Sequence, residues 1–274
     1  MSSTPRTSTD PDPQHDPQHD WQRWHERRTA QVASPYGPLS LTGTHWLADH
    51  PDGRLPSVPG TWREDGDAVL LTAAPEDGIS VDGRPFIGDI RLAADHVPVP
   101  ESRASAGERR LVVMRREGLW AVRDFDPDAP ARRFFTGIQA TPYDPRWVVR
   151  GTFHPYEDPR SVRVENADGR ERGLHLSGEL TFTLDGTAYA LQSVAEDDGS
   201  LWAVFADATS GQDSYRFRFL RPAPPAPDGT VTVDFNRALL PPCAFAAHFI
   251  CPLPPPGNTL PVAITAGERQ VLAG

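Results

Sequence analysis

Along residues 68–235 the apolar positions come in short runs, many alternating with polar ones, and turn-forming residues interrupt them every few positions. A period of two marks strands with one buried face. The pattern predicts strands over residues 68–72, 79–81, 111–114, 119–123, 146–153, 161–164, 179–184, 189–194, 201–205, 214–220 and 230–235. Asp-Gly pairs beginning at Asp52, Asp65, Asp77, Asp82, Asp168, Asp185, Asp198 and Asp228 punctuate the chain, and each supplies the positive backbone angles of a tight hairpin turn. Arg115-Arg116-Glu117-Gly118 reads as a further hairpin.

One stretch has a different period. Over residues 20–34, Trp21, Trp24, Arg28 and Val32 recur at helical spacing, Asp20 stands where an N-cap belongs, and Pro35 ends the run. The two tryptophans read as packing onto their own domain rather than as a partner-binding stripe. Residues 1–19 are too polar to offset the entropy of ordering and read as a disordered tail, in which Pro-Gln-His-Asp begins at Pro13 and again at Pro17 and His15 and His19 are solvated. Proline-rich breaks at residues 126–130 and 141–145 interrupt the strands. The fold class expected is mainly β: one N-terminal helix, then two β-rich subdomains of sandwich or barrel type over residues 35–140 and 141–274, the second carrying the candidate site.

Composition narrows the function. With 38% hydrophobic and 9% aromatic residues the chain has material for a buried core. A net charge of −10 argues against nucleic acid as a partner, since that binding depends on clustered cations. All 27 basic residues are arginine, which excludes a Schiff-base lysine and a phosphate-loop lysine. No stretch nears the roughly 18 apolar residues of a membrane span, and the N-terminus lacks the apolar core of a secretory signal, so no membrane partner and a cytoplasmic location are expected. Phosphate-loop, dinucleotide and Gly-x-Ser-x-Gly motifs are missing, and no cofactor is expected.

Candidate chemistry concentrates in residues 205–268. Asp207 sits at the end of the 201–205 strand. In the next strand Tyr215, Phe217 and Phe219 alternate with Arg216 and Arg218, and in the 230–235 strand Asp234 precedes Asn236. The segment 241–258 is dense in proline, stiff, and apolar enough to need packing, so it is expected to wall a pocket at the mouth of the β structure. Cys243, His248 and Cys251 are possible metal ligands, but their spacing is unlike a short structural clip, and the cysteines read as buried thiols. His45, His50 and His154 have no partner at diagnostic spacing and read as structural.

Asp234-Phe235-Asn236-Arg237-Ala238, Pro241-Pro242-Cys243-Ala244-Phe245, Cys251-Pro252-Leu253-Pro254-Pro255-Pro256 with Asn258, and Ala266-Gly267-Glu268 together resemble the bacterial and archaeal proteins grouped as domain of unknown function 1684. Phe205, Asp207, Thr209-Ser210-Gly211, Tyr215 and Arg218-Phe219-Leu220 fit the same pattern, so the resemblance extends over residues 21–270. Leu239-Leu240 departs from the Tyr-Asn expected of many members, and no role is carried over there. The resemblance brings no reaction. It implies that Asp207, Thr209, Tyr215, Arg218, Asp234, Asn236, Cys243, Cys251, Asn258 and Glu268 form one constellation.

Three functions fit that constellation. In an acid–base enzyme acting on a small molecule by hydrolysis, isomerisation or elimination, Asp234 or Glu268 is the base and Tyr215 the proton donor. Arg218 then binds an anionic group, Asn236 or Asn258 orients the substrate, and Asp207 and Thr209 complete the binding set. In a noncatalytic ligand- or partner-binding module the same groups form a satisfied polar network that locks the proline-rich segment. The third is a metal site at Cys243, His248 and Cys251.

Overall fold

The computed structural model describes residues 16–274, so the expected tail up to residue 15 lies outside the described residues. Helix α1, Pro17–Val32, begins ahead of the expected start because Asp16, rather than Asp20, is its cap. The Asp16 carboxylate accepts the Gln18 N–H at 3.0 Å and Pro17 occupies the first turn, where a missing N–H costs nothing.

Strands then dominate, seventeen against two α-helices among the described residues. The first group is β1 (Leu41–Trp46), β2 (Thr61–Asp65), β3 (Ala68–Ala73), β4 (Ile79–Val81), β5 (Arg84–Pro85), β6 (Gly88–Leu92), β7 (Ala104–Ala106), β8 (Arg109–Arg116) and β9 (Leu119–Phe125). Short helix α2 (Pro130–Phe134) and β10 (Phe135–Ala140) follow. The second group is β11 (Val148–Glu165), β12 (Glu171–Leu184), β13 (Thr187–Ala195), β14 (Leu201–Phe205), β15 (Arg218–Leu220), β16 (Thr230–Asp234) and β17 (Glu268–Ala273).

The first group builds a six-stranded sheet, β1-β9-β8-β7-β4-β5, and a three-stranded one, β2-β3-β6, around a core that includes Trp62, Leu71, Leu111 and Val122. The second builds a six-stranded sheet, β15-β14-β13-β12-β11-β16, with its own core at Leu180, Leu191, Phe205 and Phe235. The fold is thus mainly β, with two β-rich bodies behind one N-terminal helix. The turn chemistry reads true where it was sharpest. Asp82-Gly83, Glu117-Gly118 and Asp185-Gly186 each join consecutive strands with both residues at positive φ, from 48° to 84°.

Two strand expectations change. The strands expected over 146–153 and 161–164 merge into a single strand, β11, which starts at Val148 after a turn over Pro145–Trp147 and whose register slips between Pro155 and Arg160. Of 214–220 only Arg218–Leu220 is strand, because Tyr215 N–H is spent on Arg269 O at 2.8 Å rather than on a sheet neighbour. The arginines do not share a face: Arg216 is exposed and Arg218 is fully buried.

Strand β17 returns to mid-chain and pairs antiparallel with β10, setting Glu268 opposite Ala140. Helix α1 lies against this junction. Trp21 Nε1 donates to Asn236 O at 2.8 Å, and Val32 packs with Leu39, Ile138, Leu240 and Phe245. The first body meets the second where Trp46 and Ala121 enclose Ile250, where Thr44 Oγ1 donates to His248 O at 2.8 Å, and where Asp49 pairs with Arg170 at 2.7 Å. No helix among the described residues is long and apolar enough to cross a membrane.

Candidate functional site

Most of the polar residues singled out in the sequence lie inside the protein, in three separate knots. The first is centred on Arg218. Its Nη2 meets Asp207 Oδ2 at 2.7 Å and Ile264 O at 2.7 Å, and its Nη1 donates to Ala266 O and, at 3.4 Å, to Glu268 O. Its guanidinium also stacks over Phe205, 5.3 Å from the ring centre, and its Nε is left without a partner among the described residues. Asp207 Oδ1 in turn accepts the Thr209 and Ile264 N–H groups at 2.8 and 3.2 Å, and Thr209 Oγ1 shares a hydrogen bond with Ser214 Oγ at 2.8 Å. Burial pulls the Arg218 guanidinium below the usual arginine range, and the Asp207 carboxylate opposes that shift.

Glu268 belongs to the same region but faces the other way. Its side chain is fully buried; Oε2 accepts the Leu240 N–H at 2.7 Å and Oε1 accepts Arg28 Nε from α1 at 3.2 Å. Burial raises its carboxyl above the usual range, with Arg28 working against the rise. The Glu268 side chain thus ties α1 to residue 240 and is enclosed by protein on both oxygens.

The second knot is Asn236 with Asp234. Asn236 exchanges two bonds of 3.0 Å with the backbone of Asp144, and Asp234 Oδ1 caps the turn by accepting Asn236 N–H and Nδ2, each at 3.0 Å. The other Asp234 oxygen meets Arg237 at 3.2 Å. Asn258 is the third knot: Oδ1 accepts the Gln192 N–H, and Nδ2 donates to Gln192 O and Val204 O, all at 2.8 Å. That buried amide mimics a strand partner and pins the proline-rich segment to β13 and β14, with Leu253 N–H adding a bond to Glu165 O at 2.8 Å. The segment packs onto the sheet.

Tyr215 stands apart, its hydroxyl donating to Cys243 O at 3.2 Å beside Cys243 Sγ at 3.6 Å. Burial raises its phenol, and the hydrogen bond to Cys243 adds to the rise. The three-ligand arrangement of Cys243, His248 and Cys251 does not form. The cysteines are buried, His248 is exposed, and among the described residues no group of three or more His, Cys, Asp or Glu is placed to hold a metal ion.

Sequence reasoning passed over the open feature. Between α1 and the end of β15 lies a cleft of about 620 Å³ lined by Trp24, Arg27, Arg28, Gln31, Arg221 and Leu239. Arg27 is exposed and has no ion pair among the described residues, and Arg221 is held only loosely, 3.7 Å from Glu196. Arg237 lies over the Trp24 ring at 5.5 Å. A second cleft of about 310 Å³ shares Arg221 and is lined also by Asp234, Thr232 and Arg237. The helical spacing of Trp24, Arg27, Arg28 and Gln31 is the one sequence signal that marks this wall.

A family model described as "Protein of unknown function (DUF1684)" matches residues 133–269. The chain belongs to this family. The DUF1684 segment contains all three knots, whereas Trp24, Arg27, Arg28 and Gln31 come from α1, ahead of it. An uncharacterized protein of Haloarcula marismortui, solved by solution NMR, is 38% identical over 49% of this chain and 77% of its own, with a TM-score of 0.42. No curated protein matches the chain.

Proposed function

We propose that this DUF1684 protein is a noncatalytic binding module for a small organic anion. The carrying observation is the convergence of Arg27, Arg28 and Arg221 on one cleft, in a protein whose net charge is −10. Arg27 and Arg221 focus positive potential on the concavity and can take a carboxylate or phosphate group bidentately, while Arg28, with Nε on Glu268 and Nη2 on Leu240 O, forms part of the wall. Trp24 and Leu239 offer a flat and an apolar surface beside them, which suits a ligand with an organic body as well as a charged head.

The acid–base reading has less support. Of its two candidate bases, Glu268 is buried and bonded on both oxygens and Asp234 is committed to Asn236 and Arg237, while Asp207 of its binding set is buried against Arg218. The knots favour the noncatalytic alternative, in which they hold the proline-rich segment and α1 so that the cleft is formed before a ligand arrives.

The test is a calorimetric and thermal-melt titration of the full chain with phenyl phosphate, succinate and inorganic phosphate. The expected result is a rise in melting temperature with ligand concentration that weakens as salt is added and disappears in Arg27→Glu/Arg221→Glu. No response to any of the three at millimolar concentration, or an undiminished response in the double reversal, removes the cleft from the proposal.

A further inference from the structure

The two cysteines are unused by the anion cleft, and their surroundings differ from an inert apolar core. Cys243 sits in the short turn Pro242–Ala244, and Cys251 lies eight positions on, its carbonyl accepting the Ala167 N–H at 2.8 Å. The backbone on both sides is therefore held. Both side chains belong to one buried cluster with Val204, Phe217 and Phe219, yet each residue keeps a small exposed fraction, 8% and 7%.

Packed in that one cluster, the two side chains act on each other's ionisation, Cys251 drawing the Cys243 thiol down and Cys243 together with burial pushing the Cys251 thiol up. Around them stand donors and cations. The Tyr215 hydroxyl lies 3.6 Å from Cys243 Sγ, and Arg216, stacked on Phe217 at 5.3 Å, also favours a Cys243 thiolate. On the far side Arg123 reaches from β9, stacks on Phe249 at 5.3 Å and favours a Cys251 thiolate. Among the described residues its one hydrogen bond is to Thr44 Oγ1 at 3.3 Å, and no carboxylate pairs with it. Two guanidiniums flanking two thiols stabilise negative sulfur and oppose a bound cation, which points to redox chemistry rather than metal uptake.

We propose that Cys243 and Cys251 are an oxidation site, a paired dithiol that hydrogen peroxide converts to an intramolecular disulfide. The Cys243 thiolate attacks one peroxide oxygen, the O–O bond breaks, and the departing hydroxide leaves as water with the proton the thiol released. Cys243 is then a sulfenic acid. Cys251 sulfur attacks Cys243 sulfur, the S–O bond breaks, and a second water leaves with the Cys251 proton. Two electrons have passed from the thiols to the peroxide. Closure ties off a loop whose Phe245 stacks under Arg28 and whose Phe249 stacks under Arg123, so it fastens the segment contacting both α1 and the first β body. The proposal does not rest on the anion cleft.

The experiment exposes the reduced, folded full chain to a few equivalents of hydrogen peroxide and reads intact mass and thiol content after denaturation. The expected result is a mass loss of about 2 Da in a monomer, with both thiols lost and both restored by dithiothreitol. In Cys251→Ser, the expected product is instead a gain of about 16 Da per oxygen, with no intramolecular bridge. Two thiols surviving in wild type, oxygen gain without the mass loss, or a disulfide only between chains would each overturn the proposal.

Discussion

Arg218 and Asp207 meet at 2.7 Å with neither side chain exposed at all. Such a pair does not stabilise a fold by attraction alone, because both charges have left water. Its value lies in what else the guanidinium holds: the carbonyls of Ile264, Ala266 and Glu268, which bring the run before β17 against β15. Arg218→Met leaves the Asp207 carboxylate buried without its cation and frees those carbonyls. The expected cost is about 3–5 kcal/mol in urea unfolding. Arg218→Met combined with Asp207→Asn should cost less than the sum of the two single changes. A single change costing under about 1 kcal/mol would mean that water or repacking readily replaces the pair.

The sequence shows the β character plainly because hairpin turns are local: two residues at positive φ carry the signal, as at Asp82-Gly83 and Asp185-Gly186. It also singles out polar residues of the DUF1684 segment, which it expects in one constellation and which the fold divides among separate knots at Arg218, Asn236 and Asn258. What it does not carry is the direction each side chain faces. Asn258 reads as a residue that orients a substrate, yet it is fully buried and bonded to Gln192 and Val204, 66 and 54 positions away. Strand β17 escaped the pattern reading because its partner β10 lies more than a hundred residues upstream, and its own alternation is short. The arginine cleft was hidden for the same reason: Arg27 and Arg221 become neighbours only when α1 docks on the second sheet.

Gly267, between Ala266 and Glu268, has φ +80°, and a Cβ there would stand 2.7 Å from Phe235 O and 2.8 Å from Ala238 Cβ. Neither neighbour can swing aside, since one is backbone and the other is fixed to it. Gly211 provides the control, with φ +78° and nothing within 4 Å of its Cβ position. Gly211→Ala bears only the left-handed strain, about 1–2 kcal/mol. Gly267→Ala bears that strain and must also displace the segment carrying Glu268 and the Arg218 carbonyls. Its melting temperature is expected to fall well below that of Gly211→Ala; equal melting temperatures would show that this crossing yields without cost.

Glu268 makes the fold sensitive to pH in a defined direction. Burial holds its carboxyl above the ordinary value of 4.5, so the folded chain keeps that proton after the unfolded chain has released it. Between the two values the folded state binds more protons, and stability falls as pH rises through that window. Asp82, Asp168, Asp198 and Asp228 are shifted downward and act in the opposite sense, losing their stabilisation as pH falls. Comparison with Glu268→Gln cancels their contribution. The glutamine oxygen can still accept the Leu240 N–H, but the side chain has no proton to lose and no charge for Arg28. The stability of wild type relative to Glu268→Gln is therefore expected to decline as pH is raised from about 4 toward 8. A difference that grows with pH would mean that the Arg28 ion pair outweighs burial, and that Glu268 works as an ionised clamp on α1.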